Sequence, residues 1–475
     1  MTDSTTARTH GSSSEIRIRA LSAYLAIAAG LVTFASLEFM LVEIQREFSM
    51  SADTTVVVAQ VASGASLLAV FLAGAFADRF GARRTMIAAA ASLCAGSALV
   101  GVSPHVSTLM LGLSVAGVGT IVMAIVGLSV LTSTFPQRAQ RSRAFALFAV
   151  IAPVVSIVIP LVTSFVILVA GWRTVTLLWF ALGGTVIALA RRALPPRIGA
   201  AERRELFTPV LAGIALSATA LVCSFLTAGV KNPEHNVRAI LCAAVAAVSA
   251  IALVVVLRAS ERPTLDLRSL RRRGALSILA AVFTANAVNL FFFVYLFLQF
   301  RYHQSLLETA VLLIVPQVTA AIGAIAGGRL SIRFDAWRVA MGALLLAAVA
   351  SLGALLIDAS SSAWMPVLVL SVAAIPIAAS VGPITNVFMD LAPADGSGAA
   401  SSIRSASVNL GIAIAGVIVG TIIFDDLDRD TERNLVAYAQ QADAFRLAGA
   451  CCVVAYLGAA ALVALHARRR SLIGR

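Results

Sequence analysis

The sequence predicts an all-α integral membrane protein that crosses the bilayer fourteen times, with both ends on the same side. Three observations carry this: a composition no aqueous core can absorb, a ladder of apolar runs of spanning length, and arginines gathered on alternate connections. Of the 475 residues, 60% are hydrophobic and 12% charged, and the mean hydropathy is +0.94. Lipid must be the solvent for most of such a chain.

A helical span needs about 20 apolar residues at about 1.5 Å each. That ruler gives Ala20–Val42, Thr55–Ala77, Thr85–Val102, Ser107–Phe135, Ala144–Ala170, Val175–Ala193 and Pro209–Val230. It continues with Arg238–Leu257, Ala275–Phe300, Leu307–Gly327, Val339–Ile357, Met365–Leu391, Ala399–Phe424 and Ala444–His466. With the N-terminus inside, 28 of the 36 lysines and arginines fall on cytoplasmic segments, Arg404 counted among them. One span more or fewer would invert every later connection and erase that asymmetry. The net charge of +13 is thereby explained by topology, and no basic block has a foldable domain beside it to bind nucleic acid.

Residues Met1–Arg19 read as a polar cytoplasmic tail before a retained helix, because the following run has spanning length and no small-residue cleavage site. The five cysteines lie inside apolar runs without metal-ligand spacing, which makes them small hydrophobes. Asp425–Asp443 is acidic and external, read as a solvated loop with a partly helical segment as the alternative, while the leucines and arginines of Arg258–Arg273 suit the inner headgroup surface.

One loop organises the chain. Gly74–Arg84 reads GAFADRFGARR, and 254 positions later Gly328–Arg338 reads GRLSIRFDAWR, keeping Gly, Arg and Phe in register. The pattern resembles the loop between helices 2 and 3 of the major facilitator superfamily, and its worn copy suggests a duplicated transporter. IQREF at Ile44–Phe48, GWRTV at Gly171–Val175, YLFLQ at Tyr295–Gln299 and GSGAASSIRSASVNLGIAIAG at Gly396–Gly416 follow in the family's order. Together they resemble the fourteen-helix drug:proton antiporters of that superfamily.

The resemblance implies two six-helix bundles, 20–193 and 275–467, with a linker and two additional central helices in 194–257, a cytoplasmic linker at 258–274 and a tail at 468–475. It implies an inner-membrane exporter of hydrophobic or amphipathic, cationic drug-like molecules, driven by proton antiport. A dedicated exporter of one metabolite or antibiotic, and a membrane receptor or scaffold that transports nothing, are the alternatives. The partners expected are a small-molecule substrate, protons and the lipid bilayer, with the chain acting as a monomer and no cofactor. The sequence departs from the family where Leu113 replaces a helix 4 arginine, where Thr33 replaces a helix 1 Asp, and where Ile159, Pro160, Thr163 and Ser164 degrade the helix 5 motif.

No phosphate loop, metal set or nucleophile with its base is visible, so an enzyme is not expected. Chemistry is left to rare ionisable and polar groups at membrane depth. Glu38 is the first candidate, for protons or for a cationic substrate, with an outer-headgroup role as the alternative; Glu43 lies nearer the interface. Asn286, Asn289, Phe293 and Phe297 form a stripe of amides and aromatics at helical spacing, either lining a cavity or bonding helix to helix. Gln60, Gln317 and Asn386 are further polar residues within spans, with the same two readings. In the loop, Gly74 and Gly81 permit close backbone approach, and Asp78 can pair with Arg79, Arg83 or Arg84 or cap a helix across the seam. The family resemblance makes this group a latch for the state closed to the cytoplasm. Pro153, Pro160, Pro316, Pro376 and Pro383 mark places where helices can bend.

Overall fold

A computed structural model describes residues 13–473 except 51, 136, 197–206, 229–232, 260–274, 288–289, 292–293, 295–297, 299–301, 303–305, 359, 392–396 and 425–434; for some helical residues, Glu38 and Gln60 among them, it describes only the backbone. Asn289, Phe293, Phe297 and the Arg258–Arg273 connector, apart from Arg258 and Ala259 at the end of their helix, lie outside the described residues.

The described residues are helical almost throughout. The first half contains α1 (Ser13–Glu47), α2 (Ala52–Phe80), α3 (Ala82–Gly101), α4 (Val106–Thr134), α5 (Arg138–Ala170) and α6 (Trp172–Ala193). A hairpin follows, α7 (Phe207–Ala228) and α8 (Pro233–Ala259). The second half contains α9 (Ala275–Asn286), α10 in two pieces (Leu306–Leu312 and Ile314–Arg333), α11 (Ala336–Ser351, extended by a 3-10 turn at Leu352–Leu356), α12 (Trp364–Asp390), α13 (Ser397–Phe424) and α14 (Leu435–Ile473). Among the described residues, ten helices are long and apolar enough to cross a membrane. Their outward surfaces are apolar too: Leu168 is 83% exposed and Val248 66%, a skin suited to lipid rather than water.

Each half has its own core. Met86, Leu93, Met123 and Trp179 anchor the first, and Leu344, Phe388, Cys452 and Tyr456 the second. Small residues let the helices approach closely, as expected where van der Waals packing replaces the hydrophobic effect. A Cβ on Gly96 would meet Ala116 N at 2.4 Å, and one on Gly327 would meet Ala379 O at 2.1 Å. The α7–α8 hairpin lies along one seam: α7 packs on α2 and α13, with Ser217 Oγ donating to Gly64 O at 3.0 Å.

Three elements differ from the sequence reading. Helix α9 is interrupted by a bend at Ala287, with Leu290, Phe291, Val294 and Leu298 helical beyond it, where one unbroken span to Phe300 was expected. There the Asn286 amide donates to its own helix at Val282 O, 2.7 Å, the local competition that makes Asn a poor interior helix residue. Helix α10 breaks at Leu313, which places Pro316 in the first turn of the second piece, where a missing N–H costs nothing. For Asp425–Asp443 the partly helical alternative replaces the solvated loop, since α14 begins at Leu435.

Candidate functional site

Between the halves lies a cavity of about 1060 Å³, large enough for a drug-sized molecule. The first half supplies Gly30 and Phe34 from α1, Thr120 from α4, and Phe148, Pro153 and Ser156 from α5. The second half supplies Asn286, Gln317, Arg404, Asn409 and Tyr456. Most of the remaining wall is aliphatic carbon. Asn409 Nδ2 donates to Ser405 O at 2.8 Å, as Asn286 does to Val282, so both amides spend one donor on their own helix.

Of the predicted site residues, the structure brings Asn286 and Gln317 to this cavity. Asn386 lies elsewhere: it is 3% exposed, accepts from Arg141 Nε at 2.8 Å and donates to Ser142 Oγ at 2.9 Å. Glu43 is half-buried near the end of α1 and pairs with Arg46 at 2.7 Å. Position 38 follows Phe34 by one helical turn, and position 60 lies in α2. Leu113, at the arginine position of the family pattern, is packed in the first core, and the Thr33 hydroxyl donates to Ala29 O at 2.8 Å.

Two of the latch residues, Gly74 and Asp78, meet the other half. Asp78 accepts from Gly398 N through Oδ1 and from Ala399 N through Oδ2, each at 3.1 Å. These are orphan N–H groups in the first turn of α13, so a carboxylate from α2 caps that helix from across the seam. Glycine is required on both sides: a Cβ on Gly74 would meet Gly398 O at 2.3 Å, and one on Gly398 would meet Asp78 Oδ1 at 2.6 Å. Ser402 completes the join, accepting from Gly74 N at 3.0 Å and donating to Val70 O at 2.7 Å. Gly81, at φ 87°, makes the α2–α3 turn in the left-handed region open to glycine. Arg79 sits 5.1 Å from the Phe80 ring, and Arg83 and Arg84 lie in the first turn of α3.

A second joint at the same end was not anticipated. Arg141 at the start of α5 forms an ion pair with Asp390 at the end of α12, besides its bond to Asn386. The available signal was a charged residue at each helix terminus on the arginine-rich side; nothing in the spacing pairs them. Arg404, counted with the cytoplasmic arginines in the sequence, has a further placement. It stands in the second turn of α13, 9% exposed, and faces the cavity.

At the opposite end, Glu47 forms an ion pair with Arg173 and accepts from Trp172 Nε1 at 2.6 Å. The Arg173 hydrogen bond holds the Glu47 carboxyl below its usual range against the opposing effect of burial, with the Trp172 bond and the Arg173 charge adding to it.

The chain has known relatives along most of its length. The sequence is 27% identical over 384 residues to a methylenomycin A resistance protein of Bacillus subtilis, covering 79% of this chain and 80% of that one. It is 26% identical over 415 residues to the multidrug resistance protein Stp of Mycobacterium tuberculosis, covering 83% and 73%. The fold superposes on the human organic anion transporter MFSD10 with a TM-score of 0.64 at 14% identity, covering 94% and 99%; at that identity the likeness speaks for the fold alone. Residues 23–416 match the Major Facilitator Superfamily. Two joined helical halves around a shared cavity, with that match over most of the sequence, make this chain a multi-pass membrane transporter protein of the major facilitator superfamily.

Proposed function

We propose that the protein exports hydrophobic or amphipathic small molecules by alternating access, in the manner of the resistance transporters it resembles. The observation that carries this is the apolar cavity between the halves, shut at one end by the Asp78 cap and the Arg141–Asp390 pair. Such joints are made in one state and broken in the other, which is what gating by rocking bundles requires. The shut end carries the arginine-rich segments, which supports fourteen spans with both termini in the cytoplasm of a bacterial cell. The two six-helix domains, 20–193 and 275–467, remain part of the proposal, and the chain works as a monomer because each half contributes its own wall of the cavity.

Proton antiport is part of the proposal, with Glu38 as the titrating group. Position 38 lies on α1 one turn beyond the cavity-lining Phe34, and a carboxylate at membrane depth is a natural proton carrier. The cationic preference inferred from the family has less support, because no Asp or Glu lines the cavity among the described residues.

The test is efflux of a panel of fluorescent dyes from a pump-deficient host, with and without a protonophore. Export that the protonophore abolishes, and that Glu38→Gln makes insensitive to pH, is the expected outcome. Equal dye retention in expressing and empty cells contradicts export, and unchanged pH dependence in Glu38→Gln removes Glu38 from coupling.

A further inference from the structure

The cavity has mostly apolar walls and, among the described residues, one permanent charge. Arg404 Nε donates to Thr385 Oγ1 at 3.1 Å, while the Thr385 hydroxyl donates to Val381 O at 2.7 Å. The guanidinium carbon lies 5.4 Å from the centre of the Phe148 ring. Phe148 belongs to α5 and Thr385 to α12, so this cation rests across the two halves. Among the described residues its two Nη atoms have no hydrogen-bond or ion-pair partner, and no carboxylate lines the cavity. Arg141, a short distance along the same seam, has Asp390; among the described residues Arg404 has nothing equivalent.

A guanidinium stays charged at any pH a cell meets. Withdrawing one from water without a counter-ion is costly, and an aromatic face offsets only part of that cost. A residue needed only for packing would be cheaper as Leu or Met. The site is also deep: Arg404 is seven residues into α13, about 10 Å along its axis, and Thr385 is next to Asn386 in the shut seam. A charge so placed, with its two outer nitrogens uncommitted, is a fork for the two oxygens of a carboxylate. Binding there breaks no existing ion pair among the described residues. Phe34, Phe148 and Phe291 then offer apolar faces to the remainder of the ligand.

We propose that Arg404 binds the carboxylate of an amphiphilic anion, so that the central cavity selects acids with an aromatic or aliphatic body over cations of the same shape. The proposal deepens the export reading by naming its substrate class, but the binding it requires can be measured without transport.

Three matched fluorescent probes decide it: pyrenebutyrate, pyrenebutanamide and pyrenebutylammonium, titrated at neutral pH into the full-length protein in uncharged-lipid nanodiscs, with empty nanodiscs subtracted. Wild type should bind the acid about tenfold more tightly than the amide, with the ammonium weakest. Arg404→Gln should erase the preference for the acid while leaving the amide unchanged, and Arg404→Lys should restore part of it. Should Arg404→Gln fail to fold, the wild-type order alone decides. Equal binding of the three, a preference for the ammonium, or no binding of the acid overturns the proposal. Parallel efflux of the amide from proteoliposomes separates the two readings: amide exported without acid preference sinks this inference only, while acid bound but no probe moved sinks export only.

Discussion

Asp78 serves two backbone N–H groups of a helix from the other half, and its neighbours exist to let it reach them. Gly74 and Gly398 have no room for a methyl group, and Ser402 lends its hydroxyl to the α2 backbone. The sequence made Asp78 conspicuous but left its partner open between the nearby arginines and a helix terminus; only the approach of α13, far along the chain, brings its N–H groups into reach. Asn keeps one neutral acceptor and turns an amide NH2 toward the second backbone N–H, a loss of about 1.4 kcal/mol or more, at least a tenfold shift in a two-state equilibrium. Asp78→Asn should therefore raise about tenfold or more the rate at which a cysteine placed at buried Thr385 is modified from the arginine-rich side. An unchanged rate would mean that the cap does not hold the seam shut.

Glu47 illustrates a polar contact with a different consequence. Its carboxyl is held below the usual range chiefly by Arg173, so the folded state favours the ionised form. A depressed folded value contributes stability above the unfolded value, near 4.5, and loses it as pH falls through the folded value. Glu47→Gln should lower the melting temperature at neutral pH, by the small amount expected of a half-exposed pair, and the gap should close as pH drops below 4.5. A gap that persists in acid would assign the loss to packing instead.

Among the elements, hydropathy found the spans but not their ends. Helix α1 runs Ser13–Glu47 and α14 Leu435–Ile473, because polar flanks continue a helix once it has begun and leave no apolar mark of where it stops. The breaks at Ala287 and Leu313 were half legible: Asn286 and Pro316 were noted, but as cavity and hinge residues rather than as ends. Asn286 does line the cavity, while Asn386, a similar amide in a similar apolar run, was drawn instead to Arg141. Composition cannot separate those two fates, since each is set by what the opposite half presents. The α7–α8 hairpin depends on glycine in the same way as the latch. A Cβ on Gly213 would meet Leu68 O at 2.3 Å, so Gly213→Ala must push α7 from α2 and should cost about 1–3 kcal/mol of stability by overpacking. Thermal unfolding of the purified protein checks this; no loss would show that the hairpin rides loosely on α2.

At the scale of the whole molecule, two cores joined along seams leave a cavity whose access is set at its ends. The joints at the arginine-rich end come from two pairs of facing helices, α2 with α13 and α5 with α12, so both must part for that end to open. The duplicated loop foretold this only in part. Its first copy carries the Asp78 cap, but at the second the acid has become Ile332, and the corresponding work passes to Arg141 and Asp390, which lie outside the repeat. The central claim is that these joints hold the halves together at that end and part when the cavity changes sides. Spin labels at exposed positions 84 and 332, one in each half, in a background with the five native cysteines replaced, measure it by electron–electron distance. Wild type should give a short, narrow distribution, and Asp78→Asn with Arg141→Gln a longer, broader one; distributions that coincide would contradict the account.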